Sequence, residues 1–292
     1  MQTFTESLHP VYIEWMEREL GRGCAPADVQ AMMDKSGWDR ALSARTLATI
    51  HARLFPAALP AQPAHAPLVA TPTIDLSGQP GVLDLGDRQA QVLMAMGHPR
   101  IVVLGGFLSD AECDALIAGA RDRITRSLGQ AMTGESIVSA DRTSDGMFYA
   151  RGENPLLAAV EARIARLTQW PVAYAEPMQV LNYRPGAQYR PHQDYFDPAN
   201  AAIEQLLARG GQRVGTVLLY LNTPEAGGGT TFPDVDLTVA AQRGNAVFFG
   251  YPVPDASMKV LHGGAPVIAG TKWVATKWLR EREFDRPSKY AH

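Results

Sequence analysis

The sequence contains little cysteine, which excludes a fold held together by disulfide bonds. Only Cys24 and Cys113 occur among the 292 residues, and they lie too far apart in the chain to form the CxxC pair of a thiolate metal site. Chains without a disulfide framework are typical of a reducing compartment. We therefore expect a cytoplasmic protein.

Long hydrophobic runs and a strong excess of one charge are also absent. No run approaches the ~18 apolar residues of a membrane span, and the first residues lack the basic start and apolar stretch of a signal peptide. The formal net charge of −3 argues against a strongly basic surface for nucleic acid. We expect neither a membrane nor a nucleic-acid partner.

Proline is unevenly distributed and predicts the domain organisation. Residues 56–81 are rich in proline and alanine and carry few charges, so we predict an extended linker there. Residues 1–55 contain three amphipathic segments and are predicted to form a small helical domain. Residues 82–292 are predicted to form a second, larger domain.

The second domain has helical patterns first and strand patterns later. Ser109 and Glu112 form a capping-box pattern at the start of a helix, and residues 154–170 predict another amphipathic helix. Residues 129–147 are polar and contain glycine, which predicts a loop. Strands are expected within residues 175–184, 213–222, 240–251 and 271–281. This order predicts an α+β domain with helices packed on a β-sandwich or barrel.

The segment NYRPGAQYRPHQDYFD contains the first candidate metal ligands. His192 and Asp194 are two residues apart, so an extended backbone directs both side chains to one face. His262 is the best candidate for a third ligand. Two histidines and one carboxylate are the facial triad of non-haem Fe(II) oxygenases, which leaves coordination positions open. The same mixed ligands could also hold zinc or manganese, and an HxD pattern alone is often structural.

Lys272 follows His262 by ten residues and fits the next strand of a sheet. Its period-two neighbours on one face are Val274, Thr276 and Trp278. A lysine on that face needs an anionic partner if the face is buried. The alternative is that Lys272 faces solvent and the face with Trp273 and Lys277 is buried. Periodicity alone leaves both arrangements open.

Several segments in order resemble the prolyl 4-hydroxylase group of Fe(II)- and 2-oxoglutarate-dependent dioxygenases. The resemblance covers about residues 100–281. It rests on FLSDAECDALI, RTSDG, EPMQVLNYRPGAQYRPHQD, RVGTVLLYLN, GGGTTFP, RGNAVFF and LHGGAPVIAGTKWVATKW. It implies a double-stranded β-helix, or jelly-roll, catalytic core with supporting helices over residues 82–292.

The resemblance also implies a role for each matching residue. His192, Asp194 and His262 would bind Fe(II), and Lys272 would pair with the distal carboxylate of 2-oxoglutarate. The remaining 2-oxoglutarate pocket would comprise Tyr183, Thr230, Trp278 and Leu218, and the residues near the prime substrate would be Arg142 and Tyr189. Ordinary packing is the competing interpretation for Tyr183, Leu218 and Trp278. Thr230 could instead be a turn residue, and Arg142 a solvated loop cation.

The implied activity is O2-dependent hydroxylation that releases succinate and CO2, with ascorbate as a candidate reductant. Prolyl residues in a peptide or protein are the first substrate hypothesis, and a free amino acid or other small molecule is the second. A non-catalytic metal-binding or sensing protein is a third reading, and a metal-dependent hydrolase leaves Lys272 without a role. Fold and triad do not encode the substrate.

Three segments have a composition that is compatible with a functional role, but composition alone does not determine that role. Residues 1–55 could dock a partner, mediate dimerisation or pack on the catalytic domain. Residues 129–150 have the composition of a mobile lid. Residues 197–213 are expected to contain a short helix that shapes the substrate entrance.

Overall fold

The structure, a computed structural model, contains two compact units, residues 1–67 and 68–292. It describes residues 10–22, 24–55, 71–126, 129–130, 136–137, 143–196 and 203–284. No helix within these ranges is long and apolar enough to cross a membrane.

The first unit contains three helices in the three segments with amphipathic patterns. They are α1 (Pro10–Gly21), α2 (Pro26–Lys35) and α3 (Arg40–Leu54). The Asp39 side chain caps α3 by accepting a hydrogen bond from the backbone of Leu42. The helices enclose a small apolar core of Met16, Leu20, Val29, Met33, Leu47 and Ile50.

The described residues of the second unit form three further α-helices and seventeen strands. The helices are α4 (Asp110–Arg121), α5 (Pro155–Thr168) and α6 (Glu204–Ala208). The strands before α5 are β1 (Val82–Asp84), β2 (Gln89–Met96), β3 (Arg100–Gly105), β4 (Thr125–Arg126), β5 (Gly129–Gln130), β6 (Ser136–Ile137) and β7 (Asp145–Tyr149). The strands after it are β8 (Met178–Tyr183), β9 (Tyr189–His192), β10 (Arg213–Tyr220), β11 (Ala226–Gly227), β12 (Thr230–Phe232), β13 (Leu237–Val239), β14 (Ala246–Gly250), β15 (His262–Gly264), β16 (Val267–Ala269) and β17 (Lys272–Arg280).

Thirteen of these strands form a large and a small sheet that share one apolar core, and β11 with β16 and β5 with β6 form two separate pairs. The large sheet has the order β1-β2-β3-β14-β10-β17-β8-β7-β4, and the small one has the order β13-β12-β15-β9. Leu181 and Val247 of the large sheet belong to the same buried cluster as Phe232 and Val239 of the small one. Strand pairs in the described ranges are antiparallel. The arrangement is α+β and is consistent with the predicted jelly roll.

Helices α4 and α5 cover the other face of the large sheet. Leu116 of α4 and Val160 of α5 join Val180, Val217 and other sheet residues in a second buried cluster. Ser109 and Glu112 form the predicted capping box at the start of α4. The helices therefore pack against one face of the large sheet, and the opposite face is available to line a functional site.

Two parts of the second unit differ from the sequence-based expectation. Residues 129–130, 136–137 and 145–149 form β5, β6 and β7, so the predicted loop over 129–147 is wrong at residues 129–130, 136–137 and 145–147. β5 pairs with β6, and β7 pairs with β8. The composition of this segment does not show these strand partners. The hairpin of β1 and β2 was also not predicted.

Both faces of β17 are buried, and each contains a lysine. Lys272 is 4% exposed and Lys277 is 1% exposed. Lys277 donates a hydrogen bond to Glu161 of α5, and Glu161 also accepts one from the backbone N–H of Gly152. The alternative in which Lys272 faces solvent is wrong, and the face that contains Lys277 is buried as well. The Lys277 face is buried because α5 brings it a carboxylate.

We predict that Lys277→Met lowers the free energy of unfolding by ~3–5 kcal/mol, because it leaves Glu161 charged and buried without its cation. The double variant Glu161→Gln/Lys277→Met should recover more than half of this loss. Its amide can still accept from Gly152, and no charge remains buried. Urea unfolding followed by circular dichroism measures both. Equal losses of unfolding free energy in the single and double variants would contradict the pairing of Lys277 with Glu161.

Candidate active site

Three side chains from two paired strands converge at one end of the small sheet. His192 ends β9, Asp194 lies just beyond it, and His262 begins β15 directly opposite His192. One carboxylate oxygen of Asp194 is 3.7 Å from Nε2 of His192, and the other is 3.5 Å from Nε2 of His262. One ligand atom from each residue lies within 4.8 Å of the others. This spacing suits a single shared metal ion.

Both imidazole rings are fixed by carbonyl groups of their own strands. Nδ1 of His192 lies 2.9 Å from the carbonyl oxygen of Arg190, and Nδ1 of His262 lies 3.0 Å from that of Val260. A carbonyl oxygen only accepts hydrogen bonds, so each Nδ1 carries the proton and each Nε2 presents its lone pair. Both lone pairs are therefore available to a metal at the shared centre.

The carboxylate of Asp194 is buried and surrounded by positive or donating groups. Burial alone would raise its pKa, but His262, His192 and Arg213 outweigh burial and hold the pKa of Asp194 below its usual value. The Thr216 hydroxyl also donates to Oδ2 at 2.7 Å. The carboxylate is thus kept ionised, as a metal ligand must be.

A cavity opens beside the three side chains. Its lining includes every predicted site residue except Arg142, which lies outside the described residues. Lys272 and Tyr183 sit on paired positions of β17 and β8. Tyr189 stacks on His192 with ring centroids 3.7 Å apart. The structure therefore brings together residues that are widely separated in the chain.

Lys272 is buried in this cavity without a carboxylate partner among the described residues. Its Nζ lies 5.5 Å from the ring centre of Tyr183 and 5.7 Å from that of Tyr220. Burial lowers the pKa of Lys272 to about 8. A buried ammonium group that lacks an anion is costly. This lysine therefore favours an anionic occupant of the cavity.

Thr230 and Tyr220 together provide a hydrogen-bond donor near Lys272. Tyr220 donates a hydrogen bond to the Thr230 hydroxyl oxygen at 2.7 Å, and both residues are buried. Because Thr230 accepts from Tyr220, its own proton can point elsewhere. Thr230 begins β12 rather than forming part of a turn.

Trp278 and Leu218 form the apolar part of the lining. Arg213 lies over the Trp278 ring with its Cζ 4.0 Å from the ring centre. Arg213 is itself paired with Glu176 through two contacts of 2.7 and 2.9 Å. Within the described ranges, no hydrogen-bond partner is present for the buried indole N–H of Trp278, which suits a polar atom of an occupant.

Sequence reasoning missed Thr216, Tyr220, Tyr251 and Arg213. The signal for two of them was present, because Thr216 and Tyr220 alternate with the predicted pocket residue Leu218 on β10. No comparable signal identifies Tyr251, which follows β14, or Arg213. Their relation to the site arises only when the strands pair.

The arrangement fits an Fe(II) centre that uses a dicarboxylate cosubstrate. Two imidazole nitrogens and one carboxylate provide the ligand types of the facial triad. The buried Lys272 supplies the cation that a distal carboxylate requires, and Thr230 supplies a donor beside it. The residues present therefore match both groups.

Comparisons with known proteins agree with this geometry. Residues 178–280 match the family model described as the 2OG-Fe(II) oxygenase superfamily. Prolyl 4-hydroxylase 2 of Arabidopsis thaliana is 39% identical over 224 residues, which cover 68% of this chain and 72% of that protein. Prolyl 4-hydroxylase 1 of the same plant is 42% identical over 203 residues, covering 63% and 70%.

One solved structure is also similar in sequence to this chain. It is the viral collagen prolyl hydroxylase of Paramecium Bursaria Chlorella virus-1 in its 2OG complex, 28% identical with a TM-score of 0.48. The match covers 62% of this chain and 95% of the viral one. The family assignment depends on the sequence relatives. By their identity and coverage, the chain belongs to the prolyl 4-hydroxylase family of Fe(II)- and 2-oxoglutarate-dependent dioxygenases.

Proposed function

We propose that this protein hydroxylates prolyl residues in a peptide or protein, using Fe(II), 2-oxoglutarate and O2. The proposal assigns Fe(II) to His192, Asp194 and His262. It assigns the distal carboxylate of 2-oxoglutarate to Lys272. The curated relatives bear the name prolyl 4-hydroxylase, which supports the choice of prolyl substrate.

The observation that carries the proposal is a buried lysine, with no carboxylate partner in the described part of the chain, in the same cavity as the three ligand side chains. A zinc hydrolase or a metal sensor gives Lys272 no role. A dicarboxylate that also reaches the metal would neutralise this lysine. The presence of Lys272 beside the three ligand side chains therefore favours 2-oxoglutarate-dependent chemistry over other uses of the triad.

The residues of the chain bind, orient and enclose the reactants. Lys272 would attract the cosubstrate carboxylate, Thr230 would donate to it, and the rings of Tyr183 and Tyr220 would shield both from water. Bound iron would supply the oxidative decarboxylation of 2-oxoglutarate to succinate and CO2 that is coupled to hydroxylation. Tyr189 would line the approach for the prolyl ring, and Trp278 would line the cosubstrate pocket.

We predict that succinate release with Fe(II) and 2-oxoglutarate rises when prolyl peptides are added, and that the peptide gains one oxygen atom. His192→Ala should lower turnover more than ~100-fold, because it removes a metal ligand. Mass spectrometry of the peptide and succinate assay measure the two products. A matched peptide with alanine in place of proline is the control.

The same assay separates the proposal from its alternatives. Stimulation by free proline or another amino acid, but by no peptide, would replace the prolyl-peptide substrate with a small molecule. Full activity in His192→Ala would overturn the assigned centre. Metal binding without any 2-oxoglutarate turnover would favour a sensing protein.

We predict that 2-oxoglutarate binding weakens as the pH rises above about 8. Lys272 is charged below its lowered pKa of about 8, so the attraction is present at lower pH and lost as the free protein deprotonates. Each further pH unit should raise the dissociation constant by up to ~tenfold. Calorimetry with Mn(II) in place of iron measures binding without turnover.

Two variants control this pH prediction. Lys272→Arg keeps its charge at these pH values, so its binding should show no such dependence even if the affinity is lower. Lys272→Met should bind weakly at every pH. A flat profile in the unmodified protein between about pH 7 and about pH 10 would contradict the role assigned to Lys272.

Other expectations concern parts of the protein beyond the cavity. Ascorbate as a reductant, a cytoplasmic location and partner docking or dimerisation through residues 1–55 stay predictions. The expected lids fall partly outside the described residues, which omit 131–135, 138–142 and 197–202. Helix α6 lies in the segment where a short helix was expected, and its role at the substrate entrance stays a prediction.

A further inference from the structure

A short row of hydroxyl groups lies behind the carboxylate of Asp194. Thr216 of β10 is fully buried, and its Oγ1 lies 2.7 Å from Oδ2 of Asp194. Tyr251 follows β14 and is also fully buried. Its hydroxyl lies 2.7 Å from the same Oγ1 of Thr216.

The chemistry of these three groups fixes the direction of the hydrogen bonds. An ionised carboxylate only accepts, so Thr216 donates its single proton to Asp194. In the hydrogen bond between Thr216 and Tyr251, the Thr216 oxygen therefore accepts and the Tyr251 hydroxyl donates. The row therefore runs from Tyr251 through Thr216 to Asp194, and each donor strengthens the next bond.

We propose that Thr216 and Tyr251 are positioning residues that set the orientation of the Asp194 carboxylate for metal binding, an inference that rests on the proposed function. Asp194 needs such support because it lies beyond the end of β9, where no strand pairing holds it. Thr216 engages Oδ2, while Oδ1 faces Nε2 of His192 at 3.7 Å. The carboxylate is thus held with a defined rotation toward the two imidazoles.

The surroundings of Tyr251 keep this row rigid. Its ring contacts Phe249 and Tyr195, each with ring centroids 6.1 Å away. Phe249 in turn lies 4.5 Å from the ring of His262. The end of β14 therefore supports two ligands, with an aromatic ring against His262 and a hydroxyl row behind Asp194.

The test compares metal affinity among variants that keep or remove one hydroxyl group. Thr216→Val keeps the shape of the side chain and removes the donor, Thr216→Ser keeps the donor, and Tyr251→Phe removes the outer hydroxyl. The readout is the dissociation constant for Co(II), from its visible absorption, without 2-oxoglutarate. Circular dichroism checks that each variant folds.

Two buried hydroxyls away from the site provide matched controls. Thr168 is fully buried and bonds the carbonyl of Ile164 within α5. Tyr149 is buried and bonds the carbonyl of Leu116. Thr168→Val and Tyr149→Phe therefore lose the same atoms as the test variants without touching Asp194.

We expect Thr216→Val to raise the Co(II) dissociation constant by ~10–100-fold. Thr216→Ser should stay near the unmodified protein, Tyr251→Phe should show a smaller loss than Thr216→Val, and both controls should bind normally. If Thr216→Val does not fold, a loss in Tyr251→Phe but not in Tyr149→Phe supports the inference, and equal binding in these two overturns it.

The remaining outcomes are also decisive. Folded Thr216→Val with a dissociation constant within about twofold of the unmodified protein overturns the positioning role. An equal loss in Thr168→Val overturns it as well, because the effect would then be general damage to the core. Failure of the unmodified protein to bind Co(II) overturns the proposed function itself, which separates the two failures.

Discussion

The candidate active site depends on the antiparallel pairing of β15 with β9. This pairing places His262 opposite His192, although a long stretch of chain separates them. A slip of one residue in this register would turn one imidazole to the other face of the sheet. Because each ring is also hydrogen-bonded to a carbonyl of its own strand, the backbone sets both the position and the protonated nitrogen of each ligand.

The large sheet contributes the other half of the site through the position of β17. Pairing with β8 places Lys272 beside Tyr183, and pairing with β10 places Thr276 opposite Leu218. The small sheet holds the two histidines, so the cavity lies where the inner faces of both sheets meet. Helices α4 and α5 stabilise the large sheet from behind and allow its inner face to remain partly polar.

Much of the site could be predicted because its residues lie in short motifs with regular strand spacing. The two-residue spacing pointed to His192 and Asp194, the family resemblance selected His262 and Lys272 with them, and the structure places all four in one cavity. The reasoning for Asp194 was incomplete, since it lies beyond the strand and its orientation involves Thr216.

Tyr251 and Glu161 could not be found, because their partners lie in distant segments and no local pattern encodes them. The same limit explains β7, whose pairing partner β8 is remote in sequence.

The buried ammonium group of Lys272 has a consequence for the folded chain as a whole. In the proposed function, Lys272 provides the cation of an ion pair, and the bound cosubstrate provides the anion. Any dicarboxylate that binds there adds its binding energy to the stability of the folded state, which increases with ligand concentration. The supply of cosubstrate in a cell would then govern how long each molecule survives degradation as well as how fast it turns over.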